Sequence, residues 1–249
     1  MALDEEILRP GDLPEIRVDS LCPLMELVHA QPQQFPQMKF WNDPLHPFSE
    51  LLEHALTGSS EYRSLDGCIH YKSLSVFSTE NTEWASYVLS IQKAASKVGF
   101  SRGYSGKLMG AIQELRHNIV DHSQRTDTGY VVFSASSGKF EFVVADRGVG
   151  VLNSLRNNPD YADLQDHGLA LEKALTNGVS RHPSNTGHGT GFKPTINGLA
   201  NISQTMRFRS GDHAREYNRF PSGEIVDRTV QKSFIDGFLV AVACDAAMV

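Results

Sequence analysis

Several things are scarce in this 249-residue chain, and each scarcity closes off a class of protein. It has three cysteines, Cys22, Cys68 and Cys244, far apart and with no CxxC pair. Neither a disulfide framework nor a zinc knuckle fits that pattern, so free thiols in a reducing compartment are expected. No apolar run reaches the length of a membrane span. The start, MALDEEILRPGD, is acidic and lacks the apolar core of a signal peptide, so the expected location is cytoplasmic, with no membrane partner. There is no lysine- or arginine-rich run, and the net charge is −6, which argues against nucleic acid as a partner. No internal repeat or low-complexity tract interrupts the chain. A Gly-Lys-Ser/Thr phosphate loop, a dinucleotide fingerprint and the eukaryotic-type kinase signatures are all missing.

The remainder is ordinary globular composition, 40% hydrophobic and 21% charged, enough for one large domain or one domain and an appendage. Residues 1–75 are broken by Pro23, Pro32, Pro36, Pro44 and Pro47. Short helices are expected around Leu24–Ala30 and Pro47–Leu56, and a strand or two within Cys68–Phe77. This N-terminal region carries no functional motif; a docking or dimerising surface is one use for it. Residues 76–249 are more regular. Helical spacing marks Thr82–Lys97 and Ser105–Ser123, and strands are expected at Tyr130–Ala135 and Phe140–Ala145 around a turn. Leu152–Asn177 reads as partly helical, and a short helix runs through Ile196–Ala200. Thr205–Arg209, Glu224–Val230 and Phe234–Cys244 read as closing strands. The expected fold is an α/β two-layer sandwich, with helices on one face of a mixed, mainly antiparallel sheet.

Three segments carry chemistry. On the Ser105–Ser123 helix, Leu108, Ala111, Ile112, Leu115 and Ile119 form an apolar stripe. Glu114, Asn118 and His122, four residues apart, form a polar stripe roughly 80° around from it. That places them at the rim of the core rather than opposite it. The plain alternative is a solvated face with an ion pair between Glu114 and His122. The second segment is an apolar strand running into Asp146-Arg147-Gly148-Val149-Gly150. Its glycines let backbone approach a ligand, and its carboxylate can accept from an exocyclic amine. The third is Gly187-His188-Gly189-Thr190-Gly191-Phe192-Lys193-Pro194, a glycine turn leading into a helix start, where free N–H groups bind phosphate. Each of these turns alone has a plain structural reading.

Taken together, in this order and spacing, they resemble the ATP-binding domain of the GHKL superfamily, which includes gyrase B, a heat-shock chaperone, histidine kinases and MutL. Glu114-Leu115-Arg116-His117-Asn118-Ile119-Val120-Asp121-His122 resembles its asparagine box, and the two glycine turns resemble its glycine boxes. The resemblance covers about Ser75 to Val249 and implies the following roles. Asn118 ligates magnesium, and Glu114 is the catalytic base. Asp121 and His122 belong to the nucleotide site, with His122 facing phosphate. Asp146 reads adenine, with Gly148 and Gly150 beneath the nucleotide. Gly187, Gly189, Thr190, Gly191 and Phe192 wrap the phosphates, and Leu152–Thr186 forms the lid. The cofactors are then ATP and Mg2+. Where the family's closing strand carries Gly-Thr, this chain has Gly237-Phe238.

The segment from Leu169 to Arg181 resembles small bacterial regulators such as anti-sigma serine kinases. That implies transfer of the γ-phosphate to a Ser or Thr of a protein partner. The alternative is an ATP-hydrolysing or ATP-gated switch without kinase activity. A homodimer is compatible with either. A sensor histidine kinase would need a phosphoacceptor histidine on a dimerising helix pair, and the sequence shows no such helix.

Overall fold

The computed structural model describes residues 20–30, 46–74, 82–175 and 192–248. Six strands form one sheet in the order β1-β2-β3-β4-β6-β5, and every pairing is antiparallel. In chain order, helices α1 (Leu21–Ala30) and α2 (Ser49–Thr57) come first. Strands β1 (Glu61–Arg63) and β2 (Ile69–Ser73) follow, then α3 (Thr82–Lys97) and α4 (Arg102–His122). The hairpin β3 (Tyr130–Ser136) and β4 (Lys139–Asp146) leads to α5 (Gly150–Arg156), α6 (His167–Ala174) and α7 (Phe192–Ala200). Strands β5 (Thr205–Arg219) and β6 (Ile225–Asp245) close the sheet.

Alternation along the strands builds two cores, because successive side chains point to opposite faces. Phe140, Phe142 and Val144 of β4 face one core with Val131, Phe133, Phe208 and Val240; α3, α4 and α7 cover it. Val143 and Ala145 face the other core with Val132, Leu239 and Ala241; α1 and α2 cover that. The expected helix layer is therefore α3, α4 and α7. The expectation of helices on one face is extended, since α1 and α2 lie on the reverse. Four residues of α1, Leu21, Leu24, Met25 and Leu27, are almost wholly buried there. The first 75 residues thus supply two strands and a helical layer to the same sheet.

Local chemistry accounts for the element ends. Ser137 and Gly138 both have positive φ, 49° and 79°, the geometry of a two-residue β-hairpin turn. Ser101 caps α4, its hydroxyl accepting from Tyr104 N–H. The two strands expected at Glu224–Val230 and Phe234–Cys244 are one strand, β6. Strand β5 is also longer than expected. It bends at Gly211 (φ 62°), with irregular pairing on both sides of that residue. The bend brings the strand's far end back to its beginning, where Arg219 N–H donates to Gln204 O at 2.9 Å. Among the described residues, no helix is long and apolar enough to cross a membrane.

Candidate functional site

Helix α4 places the polar stripe. Leu108, Ile112, Leu115 and Ile119 are at most 1% exposed, and Ala111 is buried with them. That fixes the helix's rotation about its axis. Glu114, Asn118 and His122 consequently emerge at the rim, half-buried, and Asp121 lies in solvent. The ion pair between Glu114 and His122 does not form: among the described residues, Glu114 has no hydrogen bond or salt bridge. Asn118 has none either, and its amide nitrogen is buried without a partner. A half-buried carboxylate and a buried amide, one turn apart and both unanswered by protein, are uncommon, since buried polar groups are ordinarily hydrogen-bonded.

The first glycine turn lies at the C-terminal end of the same helix. Val149 N–H donates to Ser123 O at 2.9 Å. A Cβ on Gly148 would stand 2.0 Å from that same Ser123 oxygen, so glycine is required there by the helix end itself. Asp146 is the last residue of β4, 3% exposed, and accepts from Gly148 N–H at 2.7 Å. Burial raises its carboxyl to about 6, and the Gly148 hydrogen bond opposes the shift. No basic side chain within ion-pair distance neutralises it among the described residues. A buried strand-end carboxylate so displaced makes Asp146 a candidate site residue.

The closing strand meets this turn where the resemblance to GHKL proteins implies Gly-Thr. Phe238 pairs with Asp146 in register, and Gly237 has φ 73°. A Cβ on Gly237 would lie 2.0 Å from Asp146 O, so the Gly half of the motif is enforced. The next position, Phe238, is buried in the helix-side core.

Ser210 was not among the residues singled out from sequence. Its hydroxyl donates to Gly237 O at 2.8 Å and accepts from Val151 N–H at 2.9 Å. It thereby ties α5, where the segment expected to form the lid begins, to both closing strands. Nothing in its sequence context, Arg209-Ser210-Gly211, marks it, because its partners lie 27 and 59 residues away. Thr128 is similar: its hydroxyl accepts from Arg147 N–H at 2.9 Å and fixes the middle of the glycine turn.

Gly187, Gly189, Thr190 and Gly191 lie outside the described residues, as do residues 176–186 of the expected lid segment. Phe192 opens α7, which packs against α4. The chain that follows the second glycine turn therefore runs beside the helix bearing Glu114 and Asn118.

Residues 77–191 match the family model described as histidine kinase-like ATPase domain. The chain carries a domain of this GHKL type, an ATP-binding class, and the matched segment contains the asparagine helix and both glycine turns. No curated protein and no solved structure matches the chain.

Proposed function

We propose that this domain uses Mg-ATP to phosphorylate a Ser or Thr hydroxyl of a protein partner, with Glu114 as base. The observation that supports this most is the pair Glu114 and Asn118. They sit one turn apart on the rim of α4, without protein partners among the described residues, on the helix whose end holds the first glycine turn. Magnesium takes oxygen ligands and keeps several waters, so one side-chain oxygen suffices from the protein. The Asn118 amide suits it: its oxygen and nitrogen can exchange places by a flip, and no hydrogen bond holds either. The ion would neutralise charge on the phosphates.

In this reading Asp146 accepts from the adenine amine. Arg147, Gly148 and Val149 support the nucleotide through backbone held by Thr128 and Ser123. The turn at Gly187, Gly189, Thr190, Gly191 and Phe192 closes on the phosphates, with Asp121 and His122 at the helix end. The partner's hydroxyl oxygen attacks the γ-phosphorus as its proton passes to Glu114. The bond from that phosphorus to the bridging oxygen breaks, and ADP leaves.

The test is nucleotide titration with and without magnesium, on wild type and Asn118→Ala. Binding should depend on magnesium in the wild type and lose that dependence in the variant. Equal binding in all four conditions refutes the metal assignment. Glu114→Ala should keep nucleotide affinity and lose turnover by about 100-fold or more; persistent turnover removes Glu114 as base. Slow phosphate release with no transfer to a purified partner would mark an ATP-hydrolysing or ATP-gated switch instead.

A further inference from the structure

On the reverse face of the sheet, between α1, α2 and the start of β3, lies a cavity of about 320 Å³. Met25 and Val28 of α1, Leu56 of α2 and Tyr71 of β2 form its apolar walls. One end is polar, lined by His29, Tyr130 and Arg147. A concave apolar chamber of this size with a few convergent polar groups is the usual form of a small-molecule site.

The polar end carries one positive charge. The Arg147 guanidinium has no carboxylate within ion-pair distance among the described residues. Its one hydrogen bond there, to Val28 O, is 3.5 Å long, at the outer limit of such contacts. Most of its five donors are thus uncommitted. His29 adds no second cation: burial, and then the Arg147 charge, lower it to about 3, so it is neutral. With Asp236 O as its neighbour at 3.1 Å, Nε2 carries the proton. Nδ1 is then left to accept from Tyr130 OH at 3.4 Å. One unneutralised guanidinium over an apolar chamber matches a ligand with one negative charge and an apolar body.

We infer that this cavity binds a small amphipathic monocarboxylate, its carboxylate on Arg147 and its hydrocarbon between α1 and α2. The site is separate from the proposed nucleotide position, although both share the Asp146-Arg147-Gly148 backbone.

The experiment is calorimetric titration of the full chain, without nucleotide, with octanoate, octanol and octylamine. Octanoate should bind at one site, with octanol and octylamine at least about ten-fold weaker, because a charge-assisted bidentate contact is lost. Arg147→Met should bring octanoate down to the level of octanol and leave octanol unchanged. Ala55→Phe, which narrows the chamber from α2, should weaken all three. Absence of saturable octanoate binding overturns the inference, and so does equal binding of octanoate and octanol by the wild type. The wild-type comparison needs no variant to fold. Because no nucleotide is present, a negative result leaves the reading of the ATP site standing, and a failed ATP site leaves this one standing.

Discussion

Asp146 is a carboxyl held at about 6 by burial, with only the Gly148 N–H opposing the shift. Its ordinary value is 3.8. The folded protein therefore binds a proton more tightly at this group than the unfolded chain does. Folding is favoured by this group when it is protonated, and that advantage is lost as pH rises from about 4 through about 6. The full displacement corresponds to about 3 kcal/mol at most. Asp146→Asn, which still accepts from Gly148, should therefore stabilise the nucleotide-free protein by up to about 3 kcal/mol at pH 8. The gain should shrink towards zero near pH 4, measured by urea unfolding across that range. A donor from adenine would favour the ionised carboxyl, so nucleotide binding should release a proton near pH 6. A pH-independent gain from Asp146→Asn would show that the carboxyl is not displaced. The glycines around it behave differently from one another. Gly148→Ala sets a Cβ against Ser123 backbone at 2.0 Å and should cost about 2 kcal/mol or more. Gly138→Ala meets nothing within 4 Å and pays only for its φ of 79°, about 1 kcal/mol. Equal losses for the two would remove the steric account of the glycine turn.

Among the elements, α1 is joined to the closing strands by charge as well as by apolar packing. Glu26 of α1 accepts from Arg207 Nη1 at 2.7 Å and from Arg209 Nη1 at 3.1 Å. Arg209 is 0% exposed and also donates to Ser233 O at 2.7 Å. Glu216, brought back by the bend at Gly211, takes Arg207 Nη2 at 2.8 Å. Removing one member of such a network strands a buried charge. Glu26→Ala is expected to destabilise by about 3 kcal/mol or more, read from urea unfolding. A loss under about 1 kcal/mol would place those guanidinia in water. This network also marks where sequence reading stops. The helices α3 and α4 and the hairpin β3–β4 are legible because their signals are local: a helical period in Trp84, Tyr87 and Ile91, alternation about a turn at Ser137-Gly138. The polar stripe of α4 is legible for the same reason, since helix rotation follows from Leu108, Ile112 and Leu115. The long β5 is not, because Gly211 breaks its alternation and its charged positions, Arg207, Arg209 and Glu216, look exposed until they are paired. Ser210 is invisible in the same way, and so is the placement of the reverse layer, although its two helices are expected. Nothing in the short apolar runs of α1 and α2 says which face of which strand they cover.

At the scale of the molecule, that reverse layer decides what can fold alone. The matched family segment begins at residue 77, yet β2 pairs with β3 along its length, from Ile69↔Ser134 to Ser73↔Tyr130. Helices α1 and α2 cover Val132, Val143, Leu239 and Ala241, which are at most 4% exposed. A fragment of residues 76–249 would lose β1 and β2, opening the β3 edge, and would bare an apolar sheet face. Open edges and large apolar patches drive association. The fragment is expected in the insoluble fraction, or as soluble aggregate by size-exclusion chromatography. The full chain under the same conditions should elute as a discrete species. A truncation at residue 20, which keeps α1 and its contact from Leu21 N–H to Glu141 at 3.0 Å, should stay soluble and unfold cooperatively. A monodisperse, cooperatively unfolding 76–249 fragment would mean that the reverse layer is an appendage to the ATP-binding domain. Its failure beside a stable chain from residue 20 would mean that the domain includes the reverse layer, and that α1, with Arg147 beneath it, belongs to the same cooperative unit as the first glycine turn.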